Sequence, residues 1–345
     1  MVVVLNLFVL TKRSLTMNKT HTHLGQPQMQ VEVILASKSV NIKPIFTIRM
    51  RYPRPIHGEI MTHRVFGRNA RSSRAVPVRT MLNEVRTIPY VPWHWGKNQK
   101  GMQADEECTE LVRFSNYYNG VDFGQPMDYT AKAAWITASE RACEIAEAFM
   151  DAGYHKQNPN RLLEPFSWID TLITATEWDN FLWLRDHHAA EPHLQDLARL
   201  VKEAMLNVDI QFLNDDDWHL PYITEKDIKC AKGLFGGQGT HAVNEFLLKL
   251  SAARCARISY KPFDGDSSYE KEIARYNMLV TSERVHASPL EHQAKPDRKI
   301  TKWSVDDPTF GEWETNQWEF PELHGNLTGW IQARKLIPNE VYASN

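Results

Sequence analysis

The stretch THRVFGRNARSSR, residues 62–74, gathers His63, Arg64, Arg68, Arg71 and Arg74 around Gly67, Asn69, Ser72 and Ser73. No Asp or Glu lies between Thr62 and Val78. A solvated helix face normally mixes charges of both signs. Guanidinium forks pair bidentately with phosphate oxygens, and Ser, Asn and backbone N–H groups supply further donors. Gly67 permits close backbone approach. Three uses compete for such a cluster: a solvated charged face, a nucleic-acid patch, or a pocket for a small phosphorylated molecule. The formal net charge of −2 and a pI near 6.7 count against a protein that coats nucleic-acid backbone. No nucleic-acid polymer is therefore expected as a partner, and a local anion pocket is favoured.

Four further segments carry polar residues at suggestive spacing. They are TEWDNFLWLRDHHAAEPHLQDLA at 176–198, NRLLEP at 160–165, SAARCARISY at 251–260 and HASPLEH at 286–292. Singly, each has an ordinary structural reading. His63 could sit on a helix surface, Arg185 could pair with Asp179 or Asp186, and Ser288 before Pro289 could start a turn. Jointly, they resemble the motifs of the flavin-dependent thymidylate synthases. The family signature is Arg-His-Arg, two residues, Ser, one residue, Asn, two residues, Ser, one residue, Arg. His63, Arg64, Asn69, Ser72 and Arg74 fall in its register. Thr62 stands where the family has its first Arg, Gly67 where it has its first Ser, and Glu59 where many members have Gln. Residues 176–198 resemble the family's Asn-Phe-x-x-Leu-Arg helix, with Asn180 and Arg185 at the motif positions. NRLLEP is similar to an Arg-x-x-Leu-Pro stretch, with one extra residue, Glu164. SAARCARISY and HASPLEH resemble two motifs that precede the arginine signature in more familiar members. Here they follow it, so the order looks circularly permuted, which closely spaced domain termini tolerate.

The resemblance implies a transferase, a methyltransferase that converts deoxyuridylate (dUMP) to thymidylate (dTMP). Methylenetetrahydrofolate would supply the carbon, and FAD would carry reducing equivalents from NADPH. It implies that His63, Arg64, Asn69, Asn180, Ser259, His286 and Ser288 bind FAD. Ser72, Arg74 and Arg161 would hold the nucleotide, and Arg185 would hold the uracil ring as the catalytic group. A fixed, always-charged Arg suits negative charge moving onto ring carbonyls. The family uses no protein nucleophile and works as a homotetramer with shared active sites. The departures at Thr62, Gly67 and Glu59 leave two alternatives: hydroxymethylation of a pyrimidine nucleotide, or a nucleotide- or RNA-binding homologue without flavin.

The elements that must position these residues are partly legible. The chain has 345 residues, 42% of them apolar, with eleven Trp and eleven Tyr, enough for a real core in one or two domains. The four cysteines, Cys108, Cys143, Cys230 and Cys255, form no C-x-x-C pair. This favours a reduced, cytoplasmic setting, and neither a disulfide framework nor a metal site is expected. The apolar run Val2–Leu10 is too short to span a bilayer. Residues 1–30 are expected to be a poorly ordered extension, with Met17 as the true start. Alternation predicts a strand over 44–52, with Phe46, Ile48, Met50 and Tyr52 on one face and Thr47, Arg49 and Arg51 on the other. Helices are predicted over 54–66, from Pro77, over 129–152 with a Gly153 cap, over 162–185 bent at Pro165, and over 192–206. Two more are predicted from Thr240 and over 269–285. The Trp-rich tail beyond 301 reads as irregular. Periodicity gives mixed strands and helices, α/β or α+β. The resemblance implies an antiparallel-type sheet with long packed helices. Residues 31–212 are read as the arginine-signature region and 213–345 as a region returning permuted motifs to it.

Overall fold

The computed structural model describes residues 19–115, 117–118, 121–122, 125–258, 267–281, 284–303 and 312–341. It is a mixed α+β structure around one mainly antiparallel sheet. The strands are β1 (Thr20–His23), β2 (Gln26–Lys38), β3 (Ile45–Pro53), β4 (Gly67–Ala70), β5 (Trp168–Ala175) and β6 (Gln211–Phe212). Their order is β1-β2-β3-β5-β4, and β6 pairs in parallel with the end of β2. The helices are α1 (Val78–Thr87), α2 (Ala131–Asp151), α3 (Gln157–Leu163), α4 (Trp178–Arg185), α5 (Pro192–Leu206), α6 (Glu225–Phe235), α7 (Thr240–Ala256) and α8 (Tyr269–Val280). Among the described residues, no helix is long and apolar enough to cross a membrane.

The period-2 pattern of β3 divides the sheet. Ile48, Met50 and Tyr52 are fully buried and belong to the main core with Val31, Val33, Ile169 and Ile173. Leu194, Leu197, Ala198 and Val201 of α5 close that core, an amphipathic stripe on a helix opened by Pro192. Burying a Leu or Val side chain of this kind contributes roughly 1.5–3 kcal/mol. A second cluster packs α1, α2 and α3 together through Leu82, Val85, Cys143, Ala146 and Leu163. As expected, Gly153 takes a positive φ, +83°, just past α2.

The opposite face of the sheet is covered by residues from 213 onward, in three zones. Ile45 packs on Leu213, Ala294, Leu327 and Trp330. Next comes a buried polar row of Ser37, Thr47, Thr174, His219 and His292. Last come Arg49, Arg51 and Asp170, facing α7. The far end of the chain is thus built onto this sheet through side chains more than 100 positions away, such as His219 on Thr47.

Several expectations are corrected. The region 162–185 is not one bent helix: α3 ends at Leu163 and β5 runs through the middle of the sheet. WIDTLITA is almost wholly buried on both faces, so it shows no clean alternation to separate strand from helix. Over 54–66 only a 3₁₀ turn (Arg54–Ile56) and one helical turn (His57–Ile60) form, and Met61 is exposed. The signature then enters β4. Ordered structure begins before residue 30: β1 starts at Thr20, and Met29 is fully buried. The helix from Tyr269 ends at Val280, not 285. Helix α6 was not anticipated, although Thr224 and Asp227 form a capping box at its start. The tail is not irregular. Ala294–Pro296 pairs with Trp330–Gln332, Lys299–Trp303 pairs with Glu312–Trp318, and the buried Trp330 donates from Nε1 to the Lys43 carbonyl at 2.9 Å.

Candidate functional site

After the turn at His57–Ile60, backbone bonds from Thr62 to Glu59 and from His63 to Ile60 tighten the chain and turn His63 inward. Its ring is buried, 5.0 Å from Phe181 edge-on and 5.5 Å from Phe66. Phe181 lies one helical turn before Arg185 on α4, so the packing that holds His63 also sets Arg185. Arg185 Nε donates to His63 Nε2 at 2.9 Å, and Arg185 Nη2 donates to Thr62 Oγ1 at 3.0 Å. Burial, with the charges of Arg185 and Arg68, pushes the His63 pKa down to about 4. The imidazole is therefore neutral, with its proton on Nδ1 and its Nε2 lone pair facing the guanidinium. Arg185 Nη1 has no partner among the described residues. The surface pairing of Arg185 with Asp186 does not occur: that carboxylate takes Lys202 at 2.8 Å and Arg199 at 3.3 Å.

Beside this clamp lies a cleft of about 410 Å³ whose wall includes Arg64, Arg68, Arg334, Lys335, Asn326 and Glu291. Arg64 is exposed, with no side-chain partner among the described residues. Arg68 spends one N–H on the His63 carbonyl at 2.7 Å. Glu291 comes from HASPLEH, more than 220 residues away. It accepts from the Arg68 backbone N–H at 3.3 Å and pairs with Arg334. Next to it, His292 Nδ1 bonds Thr174 Oγ1 at 2.8 Å. The segment 288–292 is thus laid along β4 and β5.

Gly67 makes this contact possible. A Cβ there would lie 3.2 Å from Glu291 Cβ and 3.3 Å from the carbonyl oxygens of Glu291 and Thr174. The glycine that sequence reasoning assigned to ligand approach is used instead for the approach of another chain segment. Gly67→Ala should destabilise the fold by about 1–3 kcal/mol, the cost of overpacking against backbone. A urea midpoint unchanged from wild type would refute that packing.

The remaining predicted residues are scattered around this centre. Asn69 is half-buried on β4. Ser72 and Arg74 are exposed beyond its end. The fully buried Asn160 donates to the Ser73 and Val76 carbonyls at 2.7 and 2.9 Å, tying α3, which carries the exposed Arg161, to that stretch. Asn180 is exposed on α4, and His286 and Ser288 are exposed on the approach to Glu291. Ser259 lies outside the described residues. Among the described residues, no hydrogen bond or ion pair links Ser72, Arg74 or Arg161 to Arg185. Glu291, Arg334, Lys335 and Asn326 were missed as site residues. Only the Glu of HASPLEH had a signal, through the motif itself.

No family model matches the chain, and no curated protein matches its sequence. Two solved structures are similar in part. One is a flavin-dependent thymidylate synthase from Helicobacter pylori complexed with FAD and dUMP, at 17% identity and a TM-score of 0.29, covering 47% of this chain and 67% of that one. The other is a UMP/dUMP methylase from Streptomyces cacaoi bound with 5-Br UMP, at 17% identity and a TM-score of 0.31, covering 48% and 70%. Superpositions this partial leave the functional reading to the residues themselves.

Proposed function

We propose that the protein is an enzyme of pyrimidine nucleotide methylation. It would convert dUMP to dTMP with methylenetetrahydrofolate as carbon donor and FAD and NADPH as redox partners. The observation that carries this reading is the meeting of three distant segments. Thr62 and His63 bond Arg185, while Gly67 and Arg68 receive Glu291. These segments were singled out in the sequence as members of one motif set.

The donor set beside the clamp fits the charged half of a flavin dinucleotide. Among the described residues Arg64 has no partner and the Arg68 side chain is engaged only by a neutral carbonyl, so both forks could take pyrophosphate oxygens. Phe66 adds an apolar wall to the cleft. When bound, the flavin supplies the redox chemistry that completes the methyl group. The protein's own part is to bind, orient and stabilise charge.

Arg185 carries the largest share. Two hydrogen bonds hold it from behind, and neutral His63 supplies an acceptor without cancelling its charge. Nη1 remains for a uracil carbonyl, where it would stabilise negative charge carried by the ring. His63 is therefore assigned as a positioning residue for Arg185 and not as a flavin ligand. An Arg at position 62 would set a second cation against Arg185; Thr62 gives it an acceptor instead. No cysteine is needed as nucleophile: Cys143 and Cys255 are buried, and burial pushes both thiols up. Ser72, Arg74 and Arg161 are assigned to the nucleotide phosphate, meeting Arg185 across subunits of a homotetramer.

The test is mass spectrometry of the nucleotide after anaerobic incubation with dUMP, methylenetetrahydrofolate, FAD and NADPH. A methyl gain supports the reading. A hydroxymethyl product would keep the site and change the final step. Unchanged nucleotide from a protein that takes up no FAD would overturn it.

A further inference from the structure

On the sheet face opposite the main core, five guanidinium groups from three parts of the chain converge on a second cleft of about 540 Å³. Arg49 and Arg51 come from β3, Arg71 from the end of β4, and Arg254 and Arg257 from α7 and the residue after it. Two carboxylates, Glu84 and Asp170, share the wall. Five cations against two anions leave the lining at +3. The cleft shares no lining residue with the one beside Arg64.

Salt bridges account for part of this arrangement: Arg51 bonds Asp170 at 2.9 Å, and Arg71 takes both Glu84 oxygens at 2.9 and 2.8 Å. The carboxylates that hold the α7 arginines are buried and outside the lining. Asp227 is 2% exposed and takes Arg254 through both oxygens, at 2.7 and 2.9 Å. Glu272 is fully buried and pairs with Arg257 and Arg275. Arg254 Nη1 also donates at 2.6 Å to the carbonyl of Tyr222, a non-glycine residue at φ +64°. A conformation of that kind is costly and is kept where surrounding structure demands it. On the other side, Arg49 reaches only Glu32, at 3.7 Å. Arg51 Nε and Arg257 Nε are buried with no acceptor among the described residues. Both nitrogens are out of a ligand's direct reach, so their uncompensated charge acts on the cleft through its field.

We propose that this cleft is a second, separate site for a phosphate ester. Several forked donors suit tetrahedral oxyanions, and Tyr222 and Ile258 give an apolar wall for the attached organic group. The site does not depend on the methylation chemistry. Its ligand could be the nucleotide substrate or a phosphorylated dinucleotide, which share the same recognised group.

The experiment is calorimetric titration of the full-length protein with inorganic pyrophosphate. Wild type should show separate classes beside Arg64, at the nucleotide-phosphate residues Ser72, Arg74 and Arg161, and in this cleft. Arg64→Gln should lose one class and Arg49→Gln another, with affinity for the lost class falling tenfold or more. Arg49 is half-exposed and weakly paired, so its replacement leaves the fold intact, and Arg49→Lys should fall between wild type and Gln. In a protein carrying both Arg64→Gln and Arg74→Gln, displacement of pyrophosphate by dUMP or by NADPH identifies the source. A single binding class insensitive to Arg49→Gln would overturn the site. Displacement only by single-stranded oligonucleotide would overturn its assignment to a small molecule. Neither result bears on whether dUMP is methylated, which the mass-spectrometric test reads separately.

Discussion

Arg185→Ala should lower turnover by about two to three orders of magnitude while FAD stays bound, as loss of one preorganised charge-stabilising donor does elsewhere. The Nε and Nη2 of Arg185 are committed to His63 and Thr62, so its remaining nitrogen is aimed before substrate arrives. Charge stabilisation of this kind matters more in the transition state than in the bound substrate. The loss should therefore fall mainly on kcat, with a smaller rise in KM for dUMP. Arg185→Lys should restore little. A single ammonium cannot satisfy a backing histidine, a backing threonine and a ligand carbonyl from one planar fork. A second readout separates this from a structural effect. With Arg185 gone, His63 loses one of the positive charges that depress it, so its pKa should rise from about 4 toward 6.5, visible by NMR of the imidazole. Turnover that survives Arg185→Ala, with the His63 pKa unmoved, would sink both the clamp and the assignment.

That clamp marks the limit of what the sequence discloses. The residue types in THRVFGRNARSSR announce an anion site, because an unrelieved basic run has few other uses. The burial of His63 is not announced: it depends on Phe66 and on Phe181, which α4 brings from more than 100 residues away. Elements with one wet face are legible. Strand β3 and helices α1 and α5 each show their period, and Pro77 or Pro192 marks an entry. Strand β5 is hidden for the opposite reason, since both faces are covered and no alternation survives. The alternation of β3 does place Arg49 and Arg51 together on one side. What it cannot supply is Arg254 and Arg257, which reach the same cleft from 200 positions further on. The same holds for Glu291: HASPLEH flags it, but only the docked fold puts it against Gly67.

Stability should fall steeply as pH drops from about 6.5 toward 3, and His219 and His292 should account for much of the upper part of that loss. Ser37 Oγ and Thr47 Oγ1 bond the two nitrogens of His219, each at 2.8 Å. Thr47 Oγ1 and Thr174 Oγ1 are 2.6 Å apart across neighbouring strands, and Thr174 reaches His292 Nδ1. Both rings are fully buried, and among the described residues no carboxylate bonds either. Both pKa values fall from 6.5 to about 3, through burial at both rings and, at His219, through His292 as well. The folded state therefore binds fewer protons than the unfolded chain throughout this range, so stability rises with pH. The contribution is complete above 6.5 and is lost as pH falls through the folded values. Shifts of this size are worth on the order of 4 kcal/mol per histidine. Carboxylates held below their ordinary range, Asp186 and Asp227 among them, add their loss only below about 4. Between pH 6.5 and 4 the histidines can be read separately. His292→Asn keeps a side-chain partner near Thr174 and removes the titration and the orphaned Nε2. It should cost about 1–3 kcal/mol at pH 7 through lost volume, yet flatten the urea-midpoint profile from pH 6.5 to 4. A profile as steep as wild type would remove His292 from the account. The polar row joins the segment bearing Glu291 to the sheet, so protonation there also loosens the wall of the Arg64 cleft. Anion binding at that cleft should then weaken at a higher pH than the one at which the core strands unfold.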